Sequence, residues 1–554
     1  MTDHVSPASA GLGLAALPRR GVLALGGAAL LGVRGAGAQT PPSSPRGQVV
    51  VGIWQEPTVF NPLMPGIEVD QGFWMAVFNS LWDVDPEGKL VPQLAAEVPS
   101  VENGGISEGG LAWKVKLREG ITWHDGAPFT AEDVKYTLEL INAPGFRART
   151  RQGHSLVRDI TVTGPHEITW RMEKAFAPYL SLLGDTFMVP KHILSKAEDP
   201  NTAPFNNAPV GTGPFRFGER VAGDHITLVA NEKYHGPGPY MGRLVFKYIP
   251  DTNAYYTQFR TGQIDVAIGG GILSNNYAEA SKLPGRKVAL VSTGNLEVLM
   301  PNLELPALSD RAVRQALYAG LNKQAIIDVI YYGLMKPTES FSPLESWAYN
   351  AGLPKHTYDV ARANKLLDDA GWTRGGRGAR QKNGVPLEFA VSTTTGNALR
   401  EQAQQLMMQD WQAIGVSMKI NNMAPAVIWG EFYVRSKFQM LMVGTAFRTG
   451  NDPDPSTRFA SDAIPVKGGS GGNYMQYANP EVDRLLAAGQ ASFDQGERKR
   501  IYTRLQEIVR EELPILPVFQ YASIEGHKDG LVGFRPNPNV RSNVWNASAW
   551  YWAS

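Results

Sequence analysis

An α/β fold organised as more than one lobe is what the sequence predicts, and three observations predict it. Strand-like and helix-like hydrophobic periods alternate along the chain, the helical stretches open on capping residues, and 554 residues exceed a single compact domain. No internal repeat and no long low-complexity linker interrupts the pattern, so the lobes are expected to be crossed by the chain more than once rather than strung like beads.

The first element follows an address. Arg19 and Arg20 precede the apolar run Gly21 to Leu31, and Ala36-Gly37-Ala38-Gln39 follows it. Basic, apolar, then small-x-small is the order of an export signal, and the paired arginines point to the twin-arginine route. The run is shorter than the ~20 residues of a membrane span and meets Arg34. Residues 1–38 are therefore expected to be removed after Ala38, leaving a free periplasmic protein. The chain has no cysteine, which excludes lipid attachment of the bacterial lipoprotein kind, disulfides, thiolate metal sites and thiol nucleophiles. Residues 39–47, rich in Pro and Ser, are expected to be a disordered leader.

From Gln48 the run Val49-Val50-Val51-Gly52-Ile53-Trp54 predicts a strand buried on both faces. Trp113, Val115 and Leu117 alternate with Lys114 and Lys116, a half-buried strand that turns at Arg118-Glu119-Gly120. After Pro128, Thr130 caps a helix with Glu132 and Asp133 in its first turn and Val134, Leu138 and Ile141 on its apolar face. Two strands, 160–162 and 167–172, bracket the turn at Gly164-Pro165. Further helices open at Ser309-Asp310, at Asn322 and at Asp494. A longer one carries Leu399, Ala403, Leu406, Met407, Trp411 and Ile414, and the strand-like Val416 to Ile420 follows it.

The charge balance, 53 basic against 52 acidic residues, supplies no field for nucleic acid, and no basic run carries interleaved aromatics. Aromatics at 10% suit a cleft in which flat rings wall in a small ligand. An enzyme would need a convergent site. Gly468-Gly469-Ser470-Gly471-Gly472 spells G-x-S-x-G, but Pro465 spoils the strand a nucleophile elbow requires. Nine histidines fall without i, i+4 pairs, and Gly211-Thr212-Gly213 lacks the later glycine of a dinucleotide loop. No catalytic residue, metal site or cofactor is expected; a hydrolase remains the remote alternative.

The stretch from Trp113 to Val134, containing Gly120-Ile121-Thr122-Trp123-His124-Asp125-Gly126, closely resembles the signature of family 5 solute-binding proteins, the peptide/nickel receptors of ABC importers. Further blocks resemble the same family in order: Pro209 to Phe215, Asn231 to His235, Phe259 to Val266, Asp310 to Leu317 and Asn479 to Asp483. The resemblance implies a two-lobed periplasmic-binding-protein fold that closes like a trap, with a subdomain inserted in the N-terminal lobe. By that likeness 48–80, 192–285 and 520–554 share lobe I, 81–191 is the insert, and 286–519 is lobe II. It implies a monomer that hands a small ligand, a short peptide or peptide-like compound, to membrane permease subunits. Opines, oligosaccharides, nickel chelates and haem are the alternatives.

In peptide-binding relatives an acidic residue ahead of an Asp-Pro or Glu-Pro step pairs with the ligand's ammonium group. Aligned on Pro455, this chain has Asn451 there, which accepts a hydrogen bond but carries no countercharge; Asp452 serves if the loop shifts by one residue. The resemblance also marks Gly66, Ile67 and Val69 as a cleft-lining loop. Further candidates are Thr394 and Thr395 after a predicted strand, Phe447 before the acidic segment, and Asn473 with Tyr474 after the glycine loop. His124 and Asp125 read as structural.

Overall fold

The apolar run after Gln48 becomes an interior strand of a large sheet. A computed structural model describes residues 40–374 and 378–553. In chain order the strands of this sheet are β1 (Arg46–Ile53), β2 (Phe215–Val221), β3 (His225–Ala230), β4 (Met241–Tyr248), β5 (Val266–Ile272), β6 (Arg286–Pro301), β7 (Glu388–Ser392), β8 (Ser417–Ile420), β9 (Met440–Thr445) and β10 (Leu516–Lys528). Their spatial order is β8-β7-β9-β6-β10-β5-β1-β4-β3-β2, and Lys336–Pro337 adds an eleventh strand beside β10. β1 is parallel to both its neighbours, as β7 is to its own; the remaining ladders are antiparallel. Val49, Val51 and Ile53 are buried, as a strand covered on both faces requires. β1 starts two residues ahead of Gln48, inside the stretch expected to be a leader, because the Arg46 N–H donates to the Tyr240 carbonyl. The export signal and its cleavage point lie outside the described residues. No helix among the described residues is long and apolar enough to cross a membrane.

Two strands carry the sheet from one half of the molecule to the other. The first part of β6, Arg286–Ser292, pairs with Ala522–Lys528 of β10, and its second part, Leu296–Leu299, pairs with Leu516–Gln520. The ladder breaks between Ser292 and Leu296. β5 meets only the far end of β10, and β9 meets only the far end of β6. Each half has its own core. One gathers β1, β4 and the helix Asp70–Val77 with Val544 and Trp550 from the C-terminal segment. In the other half Met440 and Met442 point into one cluster while Leu441 and Val443 point into a second, the period-two alternation of a strand buried on both faces.

A separate antiparallel sheet, ordered Ile106–Ser107, Ala112–Lys116, Glu167–Met172, Val157–Gly164, packs under the helix Ala131–Asn142. Trp113 and Val115 are buried and Lys114 and Lys116 exposed. Thr130 caps the helix in a capping box closed by Asp133. Asp310, Asn322 and Asp494 likewise accept from the first turns of their helices.

The signature histidine joins two of the blocks. His124 Nδ1 accepts from the Gly211 N–H at 3.1 Å and Nε2 donates to the Gly213 carbonyl at 3.0 Å, so the ring is neutral and bridging. Burial pushes its pKa down to about 4, which keeps that tautomer at neutral pH. Gly211 in turn lies against the end of the helix Asp70–Val77: a Cβ there would sit 1.8 Å from the Val77 carbonyl oxygen. Gly211→Ala is expected to destabilise the protein by about 1–3 kcal/mol, read as a lower denaturant midpoint at unchanged slope. Gly469–Gly472 is irregular, the turn Pro465–Lys467 precedes it in place of a strand, and Ser470 is exposed.

Candidate functional site

The loop after β9 is held by a buried ion pair. Asp452 accepts from both terminal nitrogens of Arg498, at 2.8 and 2.5 Å, and Arg498 also donates to the Gly489 carbonyl and to Tyr502 Oη. The Asp454 N–H donates to Asp452, and Thr449 Oγ1 donates to the Asp454 carbonyl. Asp454 is itself enclosed, so burial and the neighbouring Asp452 charge push its pKa up to about 6. With its acidic residues turned inward, the loop presents Arg448, Gly450 and Asn451 to a cavity.

That cavity has a volume of 740 Å³ and draws walls from both halves of the molecule. Trp54, Glu68 and Val69 come from the N-terminal segment, Asp185 from the end of the helix Tyr179–Gly184, and Asn537, Arg541 and Asn543 from the C-terminal loop. Opposite stand Arg400, Thr445, Arg448 and Asn451, with Val291–Asn295 and Tyr521–Ser523 between them. The wall therefore includes the break in the β6–β10 ladder, where bulged backbone is left outside regular pairing. Contacts also bridge the rim. Gln152 donates to Thr449 Oγ1 at 3.2 Å, the Ala177 N–H donates to the Gln490 carbonyl at 2.7 Å, and Phe493 packs edge-on against Trp113.

The polar groups of the wall are unevenly matched. Arg400 donates to Glu297, which also accepts from Tyr521 Oη, and the buried Glu297 carboxylate keeps the guanidinium charged against its own desolvation. Asp185 is paired with Arg149 at 3.1 Å. Glu525 accepts from Ser523 and Asn543, yet burial pushes its pKa up to about 7, and Glu68 nearby adds to the rise. Glu68, on the cavity lining, is raised by the same desolvation, and the Arg541 charge opposes that rise.

A mixed α/β molecule in two halves with a polar cavity between them has relatives. The family described as bacterial extracellular solute-binding proteins, family 5 Middle, matches residues 89–464, more than half of the chain. This chain belongs to that family. It is 26% identical over 520 residues to the oligopeptide-binding protein AppA of Bacillus subtilis, covering 92% of each chain. It is 27% identical to the nickel-binding periplasmic protein of Escherichia coli, over 80% of this chain and 83% of that one. The structure of the Bacillus subtilis AppA bound to a nonapeptide superposes with a TM-score of 0.76 at 25% identity, covering 93% of this chain and 100% of the other. NikZ of Campylobacter jejuni bound to Ni(L-His) gives 0.77 at 25% identity, covering 91% and 99%. The fold is the two-lobed one of these family 5 proteins.

Within this family 5 protein the residues singled out from sequence disperse. Val69 and Asn451 line the cavity. Gly66 and Ile67 sit beside that loop but off the lining; the Ile67 N–H donates to Asp70. Thr394 and Thr395 bridge to Met423. Phe447 is buried and stacked on Phe459. Asp452 is taken by Arg498. Asn473 is buried and bonds backbone groups at Ala460 and Tyr477, and Tyr474 packs on Tyr433. His124 and Asp125 serve internal bonds, Asp125 to His192 at 2.7 Å. Arg448 and Arg541 also line the cavity; the first stands in sequence between Phe447 and Asn451, and the second lies in Pro536-Asn537-Pro538-Asn539-Val540-Arg541, whose Asn-Pro repetition marks an ordered polar loop.

Glu525 gives the receptor a pH dependence with a definite sign. Its folded pKa of about 7 lies above its ordinary 4.5, so the folded state binds more protons than the unfolded state between those values. Stability from this group is present below pH 4.5 and falls as pH rises toward 7. Glu525→Gln should flatten that slope in denaturant titrations between pH 5 and 8.

Proposed function

We propose that this family 5 receptor captures a short peptide or peptide-like solute in the cavity between its halves and presents the closed form to the permease of an ABC importer. The observation that carries the reading is the broken β6–β10 ladder on the cavity wall, with Val291–Asn295 lining it. The Thr293 carbonyl there is taken by Gln520 Nε2 and the Asn295 N–H by Thr293 Oγ1; the rest of this stretch, outside the regular ladder, suits an extended amide chain, which bonds main chain to main chain. A volume of 740 Å³ is within the range of small-ligand sites. Resemblance to relatives named for oligopeptide and dipeptide binding supports it.

On this reading 48–80, 192–285 and 520–554 act as lobe I, 81–191 as its inserted subdomain and 286–519 as lobe II, with β6 and β10 as the crossing strands that bend on closure. The protein works as a monomeric binder without catalysis, exported to the periplasm after loss of residues 1–38 and free of a lipid anchor. A second reading, a non-peptide solute such as an opine, is favoured by neutral Asn451 on the lining. A nickel-chelate ligand gains less support, since no histidine lines the cavity among the described residues.

Calorimetric titration of refolded, ligand-stripped protein tests this. Heat with di- to pentapeptides is the expected result. Heat only with an opine, an oligosaccharide or a nickel chelate retains the receptor and discards the peptide.

A further inference from the structure

Phe493 packs into a core that is not its own. It sits on the turn 492–494 between the helices Pro480–Ala491 and Gln495–Glu512. The apolar faces of those helices, Val482 and Leu486 on one and Tyr502, Leu505 and Ile508 on the other, belong to the cluster that holds Leu441 and Val443. Phe493 packs instead against the cluster of the separate antiparallel sheet, where its ring meets that of Trp113 at 6.0 Å and 65°. Trp113 is stacked there on Trp170 and lies edge-on to Tyr179, so the ring enters an aromatic wall.

Both sides are shaped for this contact. Asp494 accepts from the Glu497 N–H and donates its own N–H to Ser492 Oγ, which in turn donates to the Glu497 carboxylate. The turn is therefore fixed from within its own half, and the ring stands out from it. The socket opposite includes Gly110, whose φ of +95° favours glycine and where a Cβ would overlap the edge of the Phe493 ring.

Further contacts follow the same seam. The Ala177 N–H donates to the Gln490 carbonyl, Gln152 donates to Thr449 Oγ1, and a Cβ on Gly450 would sit 3.4 Å from the Ser181 carbonyl oxygen. The Gln490 side chain donates to Asp454 and Ser456, and Thr449 Oγ1 donates to the Asp454 carbonyl. The seam thus shares one hydrogen-bond network with the loop that carries Asn451 to the cavity. None of these residues lies on β6 or β10, so the seam ties the halves together at a place apart from the crossing strands.

We propose that Phe493 is the bolt of a latch, that the surface of Gly110 and Trp113 is its socket, and that the latch holds the two halves closed without solute. Burying a phenylalanine rather than leaving it in water favours the closed form by roughly ten- to a hundredfold. Release of any solute then requires drawing Phe493 out of the aromatic wall, so residence time is set partly at a surface the solute does not touch. The latch goes beyond the receptor reading and depends on no choice of solute.

The chain has no cysteine, so Lys114→Cys with Arg500→Cys, both exposed, places two spin labels on the full chain, one on each side of the seam. Pulsed electron resonance measures the distance between them in protein refolded free of carried ligand. A short-distance population is expected, and Phe493→Ala should cut the ratio of short to long distances roughly ten- to a hundredfold. Phe493→Leu, which keeps an apolar side chain on the turn, should fall between, with far-ultraviolet circular dichroism the same in all. Identical distance distributions in the labelled protein and both variants, short or long, overturn the latch. Loss of the folded spectrum in Phe493→Leu also overturns it, because the ring would then be serving its own half.

Discussion

Asp452→Ala is expected to lower the unfolding free energy by about 3–5 kcal/mol, because it strands Arg498 in the interior. Both side chains are almost fully buried, and the pair is bidentate, so removing one partner leaves an uncompensated charge with no water to take its place. Arg498 lies over the rings of Trp347 and Tyr502, which do not replace a carboxylate. Denaturant unfolding measures the loss. The double variant Asp452→Leu with Arg498→Met should recover most of it, since a buried ion pair costs much of what it returns. If Asp452 instead held a ligand, Asp452→Ala would weaken binding and leave the unliganded midpoint where it was.

Arg400→Met is expected to cost a similar amount, about 3–5 kcal/mol at pH 8, by isolating the fully buried Glu297. Glu297 Oε2 accepts from both Arg400 and Tyr521, while Oε1 is buried without a partner. Burial already pushes this carboxyl's pKa above its ordinary value, and loss of Arg400 pushes it further. A raised folded pKa means stability falls as pH rises, so the penalty should shrink toward pH 5 as Glu297 takes up a proton. Unfolding midpoints of Arg400→Met and wild type across pH 5 to 8 check this; a penalty independent of pH would contradict it.

Local elements were legible in the sequence because local physics sets them. Alternation at Trp113, Val115 and Leu117, the caps at Thr130, Asp310, Asn322 and Asp494, and the turn at Gly164-Pro165 all appear where periodicity and capping chemistry put them. The site was less legible, because a cavity is a relation between distant segments. Arg448 and Arg541 are 93 positions apart in the numbering, and nothing in either neighbourhood announces the other. Asp452 illustrates the converse difficulty. An acid beside proline in the loop after β9 is equally suited to a ligand or to an arginine 46 positions later, and only the fold brings Arg498 to it. Asn473 and Phe447 face the interior, since a loop of fixed path divides its residues between surface and core.

Capture of solute in the cavity between the two halves is tested by comparing melting temperatures of ligand-stripped wild type and of Ala446→Trp, which fills a lining position at the end of β9. Both are measured with and without a pool of di- to pentapeptides. Ligand at a hundredfold its dissociation constant stabilises by about 2.7 kcal/mol, a readable shift. A rise for wild type and none for Ala446→Trp, from similar unliganded melting temperatures, is the expected result. An equal rise in both proteins would place binding elsewhere and contradict it.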